Sequence, residues 1–91
     1  MTMSEAFDLL EEECAKLGLL DEYGADMDPE CVMGKVGAAF HEEDEMLMGA
    51  LRSGEMTPLQ FYSSYLPLIE QFKIKRNLRD ALRFISDLSS A

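Results

Sequence analysis

Residues 57–72 run Thr57-Pro58-Leu59-Gln60-Phe61-Tyr62-Ser63-Ser64-Tyr65-Leu66-Pro67-Leu68-Ile69-Glu70-Gln71-Phe72. Thr57 and Gln60 form a T-x-x-Q capping box, and Pro58 stands at the first helical position, where its missing N–H costs nothing. A helix therefore starts at Pro58. Behind that start Phe61, Tyr62, Tyr65, Leu66, Ile69 and Phe72 fall on one broad face of a 3.6-residue helix. Pro67 projects roughly opposite, where it bends a helix rather than ending it. No segment of the chain alternates apolar and polar residues with period two, and none has the β-branched density of a strand, so the fold class is all-α.

Downstream, Asn77 has the side chain of an N-cap, and Leu78, Ala81, Leu82, Ile85 and Leu88 follow it at helical spacing. This predicts separate helices over 58–74 and 77–89. Upstream, Thr2-Met3-Ser4-Glu5 is another capping box. Phe7, Leu10, Cys14 and Leu17, with Ala6 alongside, line one face behind it until Gly18, a C-cap glycine, so a first helix is expected over 3–17. From Leu19 to Met27 the pattern lapses into a loop whose Leu19, Leu20 and Tyr23 are expected to tuck against the core. Asp28-Pro29-Glu30 then combines an N-cap, a first-turn proline and an acid facing the positive end of the helix dipole.

The helix from Pro29 is expected to reach residue 53, with Met33, Val36, Phe40, Leu47 and Leu51 on its apolar stripe and Gly54 as its stop. Its middle is in conflict with that pattern. At 100° per residue Glu43 falls inside the stripe, and Gly34, Gly37 and Gly49 each cost about 1 kcal/mol against alanine. Either the helix breaks near His41–Glu45 or a carboxylate faces the core. Four amphipathic helices joined by short loops predict a small α-bundle forming one domain over residues 1–91.

At 91 residues the chain buries only about 60–65% of the surface its unfolded form exposes, so self-association, most simply as a homodimer, is expected. The net charge of −10 argues against direct binding to nucleic acid or to an anionic membrane surface. That charge is polarised: residues 1–57 hold 15 acidic and 3 basic side chains, residues 58–91 hold 3 acidic and 5 basic, giving −12 and +2. The start Met1-Thr2-Met3-Ser4-Glu5 lacks the basic and apolar regions of a signal peptide, and no run of 18 apolar residues occurs, so a cytoplasmic protein is expected. Cys14 and Cys31 are too few and too unpatterned for a disulfide framework or a zinc cluster.

Candidate chemistry is sparse. His41 is the sole histidine, and with Asp44 and Glu45 it is the candidate for a metal site, His41 and Glu45 lying one turn apart on one helix face. Asp26, Asp28 and Glu30 open like a calcium loop, but the sixth and twelfth positions are Cys31 and Gly37 where glycine and glutamate are needed. Cys31 lies in the first turn of a helix, yet ten residues of helix put it about 15 Å from His41, too far for a catalytic pair. No G-x-S-x-G elbow and no glycine-rich phosphate loop occurs.

Two features point to a partner instead. Phe61, Tyr62, Tyr65 and Phe72 give more aromatic face than a bundle seam requires, and aromatics are enriched at interfaces. Arg76, Arg79 and Arg83 recur at spacings of three and four and form a basic ridge, which faces water, pairs with the chain's own acids or docks on an acidic partner. The expected function is thus a small acidic, non-enzymatic protein–protein interaction module, acting as an adaptor, regulator or inhibitor without a cofactor. Two alternatives are an acidic nucleic-acid mimic that inhibits a basic DNA- or RNA-binding protein, and a metal-binding helical dimer around His41 and Glu45.

Overall fold

The computed structural model describes residues 1–90, with the side chains of residues 1–88. Ala91, the last residue of the expected domain, lies outside the described residues. The fold is all-α, with four helices: α1 (Met3–Ala15), α2 (Pro29–Ala39), α3 (His41–Ser53) and α4 (Pro58–Ser90). The expected helix count holds, but the chain is divided differently. The helix expected over 29–53 is two helices, and the pair expected over 58–74 and 77–89 is one helix of 33 residues.

Each predicted start forms as its local chemistry dictates. Thr2 and Glu5 exchange the two capping-box hydrogen bonds, the Glu5 N–H donating to Thr2 Oγ1 at 3.1 Å and the Thr2 N–H to Glu5 Oε1 at 3.2 Å. Thr57 and Gln60 repeat the arrangement, at 3.2 and 2.9 Å. Asp28 Oδ1 accepts from the Glu30 N–H at 3.0 Å ahead of Pro29. The first helix ends at Ala15, two residues short of the expected Leu17, and the chain turns at Gly18 with φ +64°.

The break between α2 and α3 falls at Phe40, whose φ of −122° and ψ of 52° leave the helical region. It resolves the Glu43 conflict, since the new helix sets off in a fresh direction and leaves Glu43 exposed. Glu42, Glu43 and Asp44 occupy the first turn of α3, where carboxylates interact favourably with the exposed N–H groups, and no side chain caps that end. Gly34 and Gly37 weaken the preceding helix, so breaking it costs little. Phe40 itself is buried, and the Lys75 ammonium lies 4.7 Å from the centre of its ring.

The core is one apolar cluster to which every helix contributes: Leu10 and Cys14 from α1, Val32, Met33 and Val36 from α2, Leu47 and Leu51 from α3, and Phe61, Tyr65, Leu68 and Ile69 from α4. Phe61 packs between the rings of Phe7 and Tyr65, with 5.4 Å between centroids in both pairs. Leu68, which lay outside the predicted stripe, is buried, whereas Leu66 is half-buried. In the loop after α1, Leu19 packs on the core, but Leu20 and Tyr23 do not tuck in as expected. They are exposed, on a turn held by Asp21 Oδ1, which accepts from the N–H groups of Tyr23 and Ala25.

Helix α4 reaches far beyond this cluster. Thirty-three residues of helix span about 50 Å, and the molecule measures 55 × 25 × 16 Å. The body made by α1, α2, α3 and the first half of α4 ends near Arg76, whose guanidinium donates to the Leu17 carbonyl in the turn after α1. No helix among the described residues is long and apolar enough to cross a membrane.

Candidate interaction surface

The second half of α4 is an arm whose large apolar side chains are exposed. Ile74, Leu78, Leu82, Phe84, Ile85 and Leu88 are each 57–64% exposed. The sequence pattern gave Leu78, Ala81, Leu82, Ile85 and Leu88 as the apolar residues of a fourth bundle helix, and in the structure they are exposed on the continuation of α4. The reason is a change of phase. At 100° per residue the stripe Phe61, Tyr65, Leu68, Ile69 and Phe72 and the stripe beginning at Ile74 point about 200° apart around one helix axis. A rigid helix that buries the first stripe against α1–α3 turns the second away from them.

The expected partner-binding residues divide accordingly. Phe61 and Tyr65 are completely buried within the chain's own core, and Tyr62 and Phe72 are half-buried against it, so the aromatic surplus serves internal packing. The basic ridge also splits. Arg76 is half-buried and bonded to Leu17, whereas Arg79 and Arg83 are exposed farther along the arm. By phase the ridge continues the buried stripe and lies opposite the exposed apolar one. The signal for the arm was present in the chain: Ile74, Leu78, Ala81, Ile85 and Leu88 are separated by four, three, four and three residues, the heptad spacing of a helix-pairing seam.

The metal candidates do not converge. His41 Nε2 lies 3.2 Å from Glu45 Oε1 in an exposed i, i+4 pair. Asp44 instead joins the body, its Oδ1 accepting from the Tyr65 hydroxyl at 2.6 Å. Among the described residues no group of three or more His, Cys, Asp or Glu side chains is placed to hold a metal ion. Burial, then the hydrogen bond to Asp44 and its negative charge, push the Tyr65 phenol well above the ordinary tyrosine value. Of the two free cysteines, Cys14 is buried, and burial followed by the charges of Glu11 and Glu13 raises its thiol to about 11. Cys31 is exposed.

A second surface is an open groove between α1, α2 and α3, lined by Phe7, Met33, Gly37 and Met48, with Glu11, Glu30, His41 and Asp44 as its polar groups. Partial desolvation, then the negative charges of Glu30, Asp8 and Asp28, raise the Glu11 carboxyl above its ordinary value. The groove thus carries an excess of unneutralised acid. Compared with known protein families, curated proteins and solved structures, the chain matches none.

Proposed function

We propose that this protein is a non-enzymatic protein–protein interaction module whose docking element is the C-terminal half of α4. One observation carries the reading: a helical arm continuous with the folded body exposes six large apolar side chains, four of them at heptad spacing and Leu82 and Phe84 flanking that seam. Contiguous apolar surface of this kind marks association sites, because leaving it in water forgoes about 25 cal/mol for every Å² that could be buried. Anchoring the arm in the body through Arg76 and Lys75 keeps it helical and lowers the ordering cost of docking. Two free cysteines, one exposed, suit a reducing compartment such as the cytoplasm, where the module is proposed to act.

The test compares the full chain with a Leu78→Glu, Ile85→Glu variant, both changes lying on exposed arm positions that leave the body's core intact. In quantitative capture from host extracts and in sedimentation, associations made by the natural chain should be lost by the variant. Identical behaviour of the two chains in both assays would reject the arm as the docking element.

A second reading, inhibition of a basic nucleic-acid-binding protein by mimicry, is supported by the distribution of charge. No charged side chain is buried among the described residues, so the 15 acids of residues 1–57 line the surface of a small body. Binding that weakens steeply as salt rises supports this reading, and affinity that is indifferent to salt counts against it.

A further inference from the structure

We propose that the exposed face of α4 is covered by the same face of a second copy of this chain, the two arms lying antiparallel. This rests on the docking role proposed above and names its occupant.

Three observations select a second copy. The first is spacing. Ile74, Leu78, Ala81, Ile85 and Leu88 alternate steps of four and three, the period at which two helices keep one seam in contact by packing knobs into holes. Ala81 at the middle of the seam lets the backbones approach, and Leu82 and Phe84 stand on its two sides and widen it. An identical helix supplies matching knobs and holes by symmetry, in an isologous contact that closes at two copies.

The second is extent. Six large side chains that are more than half exposed form one apolar face about 21 Å long from Ile74 to Leu88, and pairing two such faces takes both out of water. The arm's apolar face runs from the edge of the body to Leu88, so two arms of equal length match along their whole overlap.

The third is charge, which also sets the direction. The arm from Lys73 to Leu88 carries five basic and two acidic side chains, whereas residues 1–57 carry a net charge of −12. Parallel arms would hold two bodies of −12 side by side. Antiparallel arms put the bodies at opposite ends and bring each basic arm back toward the acidic body of the other copy, replacing the repulsion by attraction. Arg79 and Arg83, on the side of the helix away from the seam, stay hydrated in this arrangement and are free to act through that field.

Sedimentation equilibrium of the full chain over the micromolar range should give twice the chain mass. Leu78→Glu with Ile85→Glu should raise the dimer dissociation constant by at least about 100-fold. For direction, chains carrying Cys31→Ser with either Ile74→Cys or Leu88→Cys are mixed and treated with a short bis-maleimide. The 74-to-88 link should form between chains, and neither chain should link to itself. Self-linking through Ile74→Cys overturns the antiparallel order, and a mass other than two overturns the second copy. If the natural chain is monomeric yet the arm variant loses another protein in the capture assay, the occupant proposed here falls and the docking role stands. If the two chains agree in mass and capture, both fall.

Discussion

Gly37 is a position at which α2 passes close to the Asp44–Tyr65 hydrogen bond. A Cβ added there would lie 2.9 Å from Asp44 Oδ1, 3.1 Å from its Cγ and 3.3 Å from the Tyr65 hydroxyl. Room is made by moving the carboxylate aside, which strains its 2.6 Å bond to the buried Tyr65 hydroxyl. Gly34, one turn earlier, has nothing within 4 Å of the same construction. The two substitutions therefore separate helix propensity from packing. Gly34→Ala should stabilise the protein by up to about 1 kcal/mol. Gly37→Ala should leave it less stable than Gly34→Ala by up to about 1–3 kcal/mol, the cost of a buried group left unsatisfied. Urea unfolding of the two variants decides the matter, and equal midpoints would show that the Asp44–Tyr65 contact yields freely. None of this was legible in the sequence, where Gly37 appeared only as a weak helix position and Asp44 as one acid in a run of four.

At the scale of elements, α4 holds the molecule together and also extends beyond it. The arm is joined to the turn after α1, where Arg76 donates to the Leu17 carbonyl two residues past the end of that helix. Arg79 and Arg83 share the ridge in sequence but are exposed and lie farther along the arm. Arg76→Ala should lower stability by about 1–2 kcal/mol, while Arg79→Ala and Arg83→Ala should each stay within about 0.5 kcal/mol. Thermal unfolding of the three variants checks this, and equal effects would mean that the Leu17 contact does not anchor the arm. Asn77 shows why one helix was expected as two. Its side chain can cap, and the apolar stripe shifts phase nearby, yet Lys73, Lys75 and Arg76 are good helix formers and neither glycine nor proline interrupts them. The break at Phe40 had a readable sign in the acids at Glu42, Glu43 and Asp44, which favour a helix start, but the residue at which the backbone departs depends on Phe40 being drawn into the core.

Across the whole molecule, stability is tied to two buried acids that must stay protonated. Cys14 from α1 and Tyr65 from α4 both lie in the core with pKa values raised above those of the unfolded chain, the thiol from 9.0 to about 11. Above the unfolded value of each group, the unfolded chain releases a proton that the folded chain retains, so deprotonation favours unfolding. The stability these groups contribute is complete below pH 9 and falls as pH rises from 9 toward 11, at about 1.4 kcal/mol per pH unit for each group in its window. Urea midpoints measured from pH 8 to 11 should decline over that range. Tyr65→Phe should flatten the part of the decline above pH 10, and an unchanged profile in that variant would remove Tyr65 from the account.

What the residues alone determined are the features that need only near neighbours. Helix starts at Thr2, Asp28 and Thr57 are made by side chains bonding backbone groups two or three positions away, and the all-α class follows from a period set by the helix itself. Which apolar stripe is buried is decided at longer range. A stripe is core only where another element reaches it, and α1–α3 reach α4 no farther than about Arg76. The same kind of leucine and isoleucine pattern is therefore interior at Leu68 and Ile69 and exposed at Leu78 and Ile85, a difference that burial against neighbours creates and spacing cannot express.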